Sequence, residues 1–268
     1  MSITGQMRRR YNHRKDPYDP KDMPFSAHRM ASDVLAAARQ AESDTHMMSK
    51  IPPHVDQLEV GMCGGCGGSR AGKLYMNEHG YPWQYTPSAN FLYDIARMID
   101  GVDLSDDSGV NIRSLFKAWN QYGIAPEDSN EDWSWPFAAS GDHWKTMPPE
   151  AVFKDALMHK VEYMRLGSDP DEMKAAIMQG FPVVIGITVH ESFESQSAAK
   201  TGIIPHPGHF DPILGGHCMY AVAFEDRKWV VPNSWGPDWG SGGNALISFR
   251  DMSDPDFCSD RWAITNIA

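Results

Sequence analysis

The chain has 268 residues, 41% of them hydrophobic, which is enough to bury a sizeable interior and excludes a globally disordered protein. No apolar run is long enough to cross a membrane as a helix, and a net charge of −11 argues against a general nucleic-acid binder. The charge is uneven, since residues 1–30 carry seven Lys/Arg against three Asp, leaving an acidic body behind a basic arm.

That arm comes first along the chain. Pro17, Pro20 and Pro24 forbid a regular helix there, so residues 1–30 are expected to be extended. Two readings stay open: a solvated segment, or one tied to an acidic partner or to an acidic face of a neighbouring subunit in a larger assembly. No apolar stretch follows Arg8–Arg9–Arg10, so no secretory signal is expected. With that, the four cysteines (Cys63, Cys66, Cys218 and Cys258) are expected to be free thiols in a reducing, cytoplasmic setting.

Residues 31–42 predict a short helix with Ser32 or Asp33 as its cap. A glycine-rich stretch around "MCGGCGGSRAGK" follows. Then come two amphipathic helices, "PSANFLYDIARMID" with Phe91, Leu92, Ile95 and Ile99 on one face, and "SGVNIRSLFKAWNQYG" with Ile112, Leu115, Phe116 and Trp119 on one face. Residues 124–150, rich in Trp and Pro, are expected to be irregular. The second half changes character. "SDPDEMKAAIMQG" predicts a helix capped by Asp169, with Pro170 at its first position. "PVVIGITV", "HCMYAVAF", "KWVVPN" and "NALISFR" predict strands, the middle two joined by a turn at "EDR". The expected fold class is α+β, arranged as residues 1–46 (arm plus short helix), 47–150 (helical lobe) and 151–268 (β-rich lobe), with a cleft between two unlike halves.

Three motifs converge near Cys63. "CGGC" matches a redox Cys-x-x-Cys, but the preceding "PPHVDQLEV" is a poor central strand for that unit. A zinc site would need a second close pair of ligands, and Cys218 and Cys258 are far apart in sequence. "GGSRAGKL" nearly matches a phosphate-binding loop, but Leu74 stands where the metal-binding hydroxyl belongs. The third pattern is larger: "DQLEVGMC" places Gln57 before Cys63, "GGHCMYAV" offers His217, and "NSWG" follows with Asn233 and Trp235.

That order and spacing resemble the papain-like cysteine peptidases, with D-Q-x-x-x-G-x-C around the nucleophile, a histidine on a strand and N-S-W-G beyond it. "GFPVVIGITVHESFES", "TGIIPHPGHFDPILGGH" and "SDPDFCSDRWAI" extend the likeness to the bacterial and viral branch. The resemblance implies a two-lobe fold, with a helical lobe and a β-barrel-like lobe around the cleft. It implies Cys63 as nucleophile at a helix start, His217 as its base, and Asn233 orienting the ring beneath Trp235. Gln57 and the Cys63 N–H would form the oxyanion hole. It implies peptide or protein substrates and no cofactor. An alternative is a fold kept for assembly, as in a virion-associated component, with little or no peptidase activity.

The sequence departs from that family's pattern at Gly64, where a bulky residue, often Trp, is usual. With Gly65, Gly67 and Gly68 it makes a glycine-rich first turn, expected to be loose at about 1 kcal/mol per glycine. Cys66, one turn beyond Cys63, is a packing residue or a partner for an oxidised Cys63. The half-cystine of secreted relatives would fall at Val60. Only 62 residues precede Cys63, which argues against control by a large prodomain.

Overall fold

The computed structural model describes residues 9–27, 32–129 and 131–268. The first eight residues of the basic arm, its last three and Asn130 lie outside the described residues.

Helices dominate the first half: α1 (Ser32–Gln40), α2 (Cys63–His79), α3 (Ala89–Ile99), α4 (Ile112–Tyr122) and the unanticipated α5 (Glu150–Ala156). The two amphipathic helices form where their periodicity places them. Ser88 caps α3 by accepting from the Phe91 N–H, and Asn111 caps α4 by accepting from the Ser114 N–H. Gly123, at φ +73°, stops α4. The residues cited for their apolar faces are buried except Ile99, which is only partly so.

The glycine-rich turn is not loose. It opens α2, the helix at the centre of the molecule, packed on α3, α4 and the sheet. A Cβ at Gly64 would lie 2.5 Å from Val110 Cγ2, one at Gly68 would lie 2.5 Å from Leu115 Cδ2, and one at Gly65 would overlap the Ala89 carbonyl. The glycines let neighbouring elements come closer than any side chain would allow, and that packing offsets their poor helix propensity. "GGSRAGKL" is part of this helix and forms no loop for a phosphate.

The second half contains β1 (Val161–Arg165), α6 (Pro170–Met178), β2 (Val183–His190), α7 (Gln196–Thr201), β3 (Ile213–Ala221), β4 (Ala223–Glu225), β5 (Lys228–Pro232), β6 (Asn244–Ser248), α8 (Phe249–Ser253) and β7 (Cys258–Ile267). They make a four-stranded sheet in the order β1-β7-β2-β3 and a three-stranded sheet β4-β5-β6, all antiparallel. "HCMYAVAF" is not one strand. It breaks at Val222, so β3 finishes in the first sheet and β4 begins the second. Asp226 and Arg227, at φ +47° and +58°, turn β4 into β5 with the two positive φ angles of a tight hairpin. β7 is an addition to the sequence reading. It lies between β1 and β2, and its Trp262 is fully buried.

The described part of the arm is seated on the body, with Tyr11 and Asn12 partly buried and His13 and Asp16 buried. Residues 9–16 lie between the two halves, bonded to both. On the helical side Arg10 pairs with Asp107 at 2.9 Å, Asn12 Nδ2 donates to the Asp107 carbonyl at 2.6 Å and Arg14 pairs with Asp100 at 2.9 Å. On the sheet side the His13 N–H donates to the Gly216 carbonyl at 2.9 Å, and the Gly216 N–H donates to the Tyr11 carbonyl at 3.3 Å. Asp16 anchors the end, accepting from Trp262 Nε1 at 2.7 Å and from the Arg113 N–H at 3.0 Å. Arg10 and Arg14 thus meet carboxylates of the chain's own body.

Candidate active site

Cys63 is the first residue of α2, and His217 lies on β3. The backbone N–H groups of Gly64 and of Cys218, the residue after His217, lie near enough to the Cys63 sulfur to favour its thiolate. The start of the central helix and the strand carrying the histidine therefore meet at the sulfur.

His217 Nε2–H donates to Asn233 Oδ1 at 2.8 Å, which fixes the tautomer and leaves Nδ1 buried without a hydrogen-bond partner. The same Oδ1 accepts from the Ser234 N–H at 2.8 Å. Trp235 lies over the ring, with centroids 5.3 Å apart and planes inclined by 31°. It is braced by Phe193 and Trp239, at 5.5 and 4.9 Å between centroids. The bulk of "NSWGPDW" thus holds the Asn233–His217 bond in a dry aromatic setting, where it is stronger than in water.

Gln57 is fully buried on the segment leading into α2. Its backbone N–H donates to the Ser234 carbonyl at 2.9 Å, and its Oε1 accepts from Ser234 Oγ at 2.5 Å. Its Nε2 donates to the Val60 carbonyl at 3.0 Å, which uses one of two amide hydrogens. Ser234, to which the sequence reading gave no role, ties Gln57 to the asparagine loop.

At Gly64 the missing side chain leaves no opening, because a Val110 methyl group fills the position.

The arm closes this site. The Tyr11 ring stands edge-on to His217 at 6.0 Å, and its hydroxyl donates to Glu194. The Arg9 guanidinium lies 5.3 Å from the Trp235 ring and pairs with Asp56. The His13 ring is inserted against Gly186, its Nε2 3.4 Å from Asp260. Sequence reasoning missed these contacts. A signal was present in the glycines: Gly61, Gly109, Gly186, Gly215 and Gly216 all face the arm, where a Cβ would strike it.

Under this cover Cys63 and His217 are 1% and 0% exposed. Burial pushes the thiol up to about 11, against the pull of the Cys218 and Gly64 N–H groups. Burial also pushes the imidazole down to about 4; the bond to Asn233 opposes this, and the nearby His13 and Arg9 add to it. The closed site holds a neutral thiol and a neutral imidazole.

A family model described as papain family cysteine protease matches residues 97–256, a span that includes His217 and Asn233. The chain belongs to the papain family of cysteine proteases. Cys63 and Gln57 lie before the matched span. An uncharacterised peptidase C1-like protein of Acanthamoeba polyphaga mimivirus is 29% identical over 246 residues, covering 84% of this chain and 74% of that protein. Pro-cathepsin H of Bos taurus is 29% identical over 130 residues, 47% of this chain and 35% of that protein. Xylellain, a cysteine protease from Xylella fastidiosa, superposes with a TM-score of 0.83 at 25% identity, covering 99% of this chain and 100% of that one. A procathepsin B from Trypanosoma congolense shares the fold, with a TM-score of 0.68 at 17% identity over 95% of this chain and 86% of that one. The two-lobe α+β architecture is thus the papain-like fold.

Proposed function

We propose that this papain-family protein cleaves peptide bonds through a Cys63 thiolate and a His217 imidazolium, and that residues 9–16 hold it latent. The observation that carries the reading is the His217 ring: Nε2–H is committed to Asn233 while Nδ1 has no hydrogen-bond partner, on the strand whose next N–H lies near the Cys63 sulfur. With the arm withdrawn, water returns and Nδ1 takes the thiol proton. The start of α2 and the N–H groups of Gly64 and Cys218 stabilise the thiolate.

The thiolate attacks the scissile carbonyl carbon. The resulting oxyanion faces the Cys63 N–H and the uncommitted amide hydrogen of Gln57, a donor type worth about 3 kcal/mol of transition-state stabilisation. His217 Nδ1–H then protonates the leaving amine, giving a thioester on Cys63. A water deprotonated by His217 attacks the thioester and releases the second product. Asn233 keeps the ring in place throughout.

The test uses a thiol-directed peptidyl probe and a fluorogenic peptide library, each with the intact chain and with residues 1–13 removed. Truncation is expected to raise both labelling of Cys63 and turnover. Asn233→Ala in the truncated chain should lower turnover about 10- to 100-fold, as expected for losing a hydrogen bond of about 1.5–3 kcal/mol to a charged ring. If truncated, folded protein labels at Cys63 no faster than free cysteine and cleaves nothing, the peptidase reading is lost.

A further inference from the structure

The peptidase reading makes no use of Cys66. It is buried, 1% exposed, and lies beside a small cavity lined in part by His54, Cys218, Asn233 and Ser234. Cys63 and Cys66 are the first and fourth residues of α2. Helix geometry sets such Cα atoms about 5 Å apart on one face, inside the span of about 4.4–6.8 Å that a disulfide bridges. The intervening Gly64 and Gly65 have no side chains to obstruct the link, and all four cysteines are free thiols. A charge on Cys63 would raise the cost of ionising Cys66, and that of Cys218 as well.

Cys218 is the other candidate partner. It follows His217 on β3, so its side chain leaves the opposite face of the strand. Its sulfur lies 3.3 Å from where a Cβ of Gly67 would sit, beyond the Cys63–Cys66 pair along α2.

We propose that Cys63 and Cys66 form a reversible redox pair, in which Cys66 captures an oxidised Cys63 and shields it from permanent loss. Hydrogen peroxide or a hydroperoxide is the oxidant. With the arm withdrawn, the Cys63 thiolate attacks the peroxide, the O–O bond breaks, the departing oxygen takes the proton held on His217 and leaves as water or an alcohol, and Cys63 becomes a sulfenic acid. The Cys66 sulfur then attacks the Cys63 sulfur, the S–O bond breaks, water leaves and an S–S bond remains. While linked, Cys63 cannot attack a carbonyl; a dithiol such as dithiothreitol returns both thiols and is itself oxidised. The pair depends on the proximity of two sulfurs and not on turnover, so an inactive protein would still form it.

The test is peptide mapping. Trypsin releases residues 51–70, which carry both cysteines and no others. The chain without residues 1–13, in which Cys63 is uncovered, is treated with graded hydrogen peroxide beside the intact chain, and each is denatured, alkylated and digested. The expected peptide resists alkylation, is two hydrogens lighter than its reduced form, and recovers two alkylatable thiols with dithiothreitol. In Cys66→Ser the expected product is an irreversible sulfinic acid at Cys63. Three results overturn the proposal: sulfinic Cys63 beside an alkylated Cys66 in the unsubstituted chain; a cross-link to the peptide bearing Cys218; or two free thiols at a dose that converts the exposed Met23 and Met158 to sulfoxides.

Discussion

Glycine does the same geometric work in two regions of this molecule, to opposite ends. Along α2, Gly64, Gly65, Gly68 and Gly72 bring the helix against Val110, Ala89, Leu115 and Trp119. That contact is largely apolar, buried and part of the core. Across the cleft, Gly61, Gly109, Gly215 and Gly216 bring the body against the backbone and side chains of Tyr11, Asn12 and His13. This second contact is made of main-chain hydrogen bonds and of ion pairs that reach the surface. The first loses apolar burial when opened, and the second exchanges polar bonds for water. Close approach alone therefore does not mark a permanent contact; the chemistry on either side of the glycine does.

The sharpest break between the two comes from adding one methyl group to each. Gly65→Ala places a Cβ against the Ala89 carbonyl, which is backbone and has little room to move. Alanine's better helix propensity returns about 1 kcal/mol, while forced overpacking costs about 1–3 kcal/mol or more. With rigid backbone as the obstacle the cost falls at the upper end, so the variant is expected to lose about 2 kcal/mol of stability in urea denaturation. Stability at or above that of the parent would mean α2 does not need its glycines.

Gly216→Ala should behave differently. Its Cβ would strike the His13 carbonyl, and the element free to retreat is the arm. Unfolding by urea should lose no more than about 1.4 kcal/mol, while alkylation of Cys63 should rise about tenfold, the same free energy read at the arm. A variant that unfolds as readily as Gly65→Ala would show that the arm belongs to the core.

The contrast also sorts what the sequence made legible. α3 and α4 could be read because their apolar spacing, caps and terminal glycine are local signals. Cys63, His217, Asn233, Gln57 and Trp235 could be picked out because a resemblance supplied the pattern; no local rule links residues 154 positions apart (63 to 217). β7 escaped because "CSDRWAITNI" places charged residues in a strand that lies between two others, where alternation no longer marks a solvent face. The role of the glycines escaped because propensity is scored on one helix and the compensation comes from its neighbours. The arm's position escaped for a related reason: Arg9, Arg10 and Arg14 announce a need for carboxylates, and only the fold reveals that Asp56, Asp107 and Asp100 supply them.

Acid should loosen the second contact and leave the first alone. His217 sits at about 4 beneath the arm, against an ordinary 6.5, because of burial and then the nearby His13 and Arg9. When the arm leaves, water returns and both neighbours go with it, so the ring's affinity for a proton rises. In Cys63→Ser, where no thiol proton can pass to the ring, the open form therefore binds more protons than the closed form between pH 6.5 and 4, and falling pH favours opening. Deuterium-exchange protection of residues 11–16, corrected for intrinsic pH dependence, is expected to fall about tenfold or more across that window. Protection within α2 should stay level, and His217→Gln should abolish the trend at the arm. If the trend survives that substitution, the carboxylates paired with Arg9, Arg10 and Arg14 are responsible and the burial of His217 is not.

The smallest effect belongs to the outer end of the described arm, and it distinguishes a seated segment from a tethered one. Arg9 lies against Trp235 and pairs with Asp56, whose side chain is 34% exposed, so solvent screens the pair. Together an ion pair screened at its carboxylate and one cation–π contact are worth about 1 kcal/mol. Arg9→Ala should speed Cys63 alkylation by only about fivefold. Arg9→Lys keeps the charge but loses the flat guanidinium against the indole, and should fall between the two. That ranking follows if the arm is held mainly by backbone seating at Gly215 and Gly216, with Arg9 trimming the equilibrium. Were Arg9→Ala to expose Cys63 as fully as Gly216→Ala, the arm would be pinned at its basic end, and the glycine-lined seat would be a consequence of that pin and not its cause.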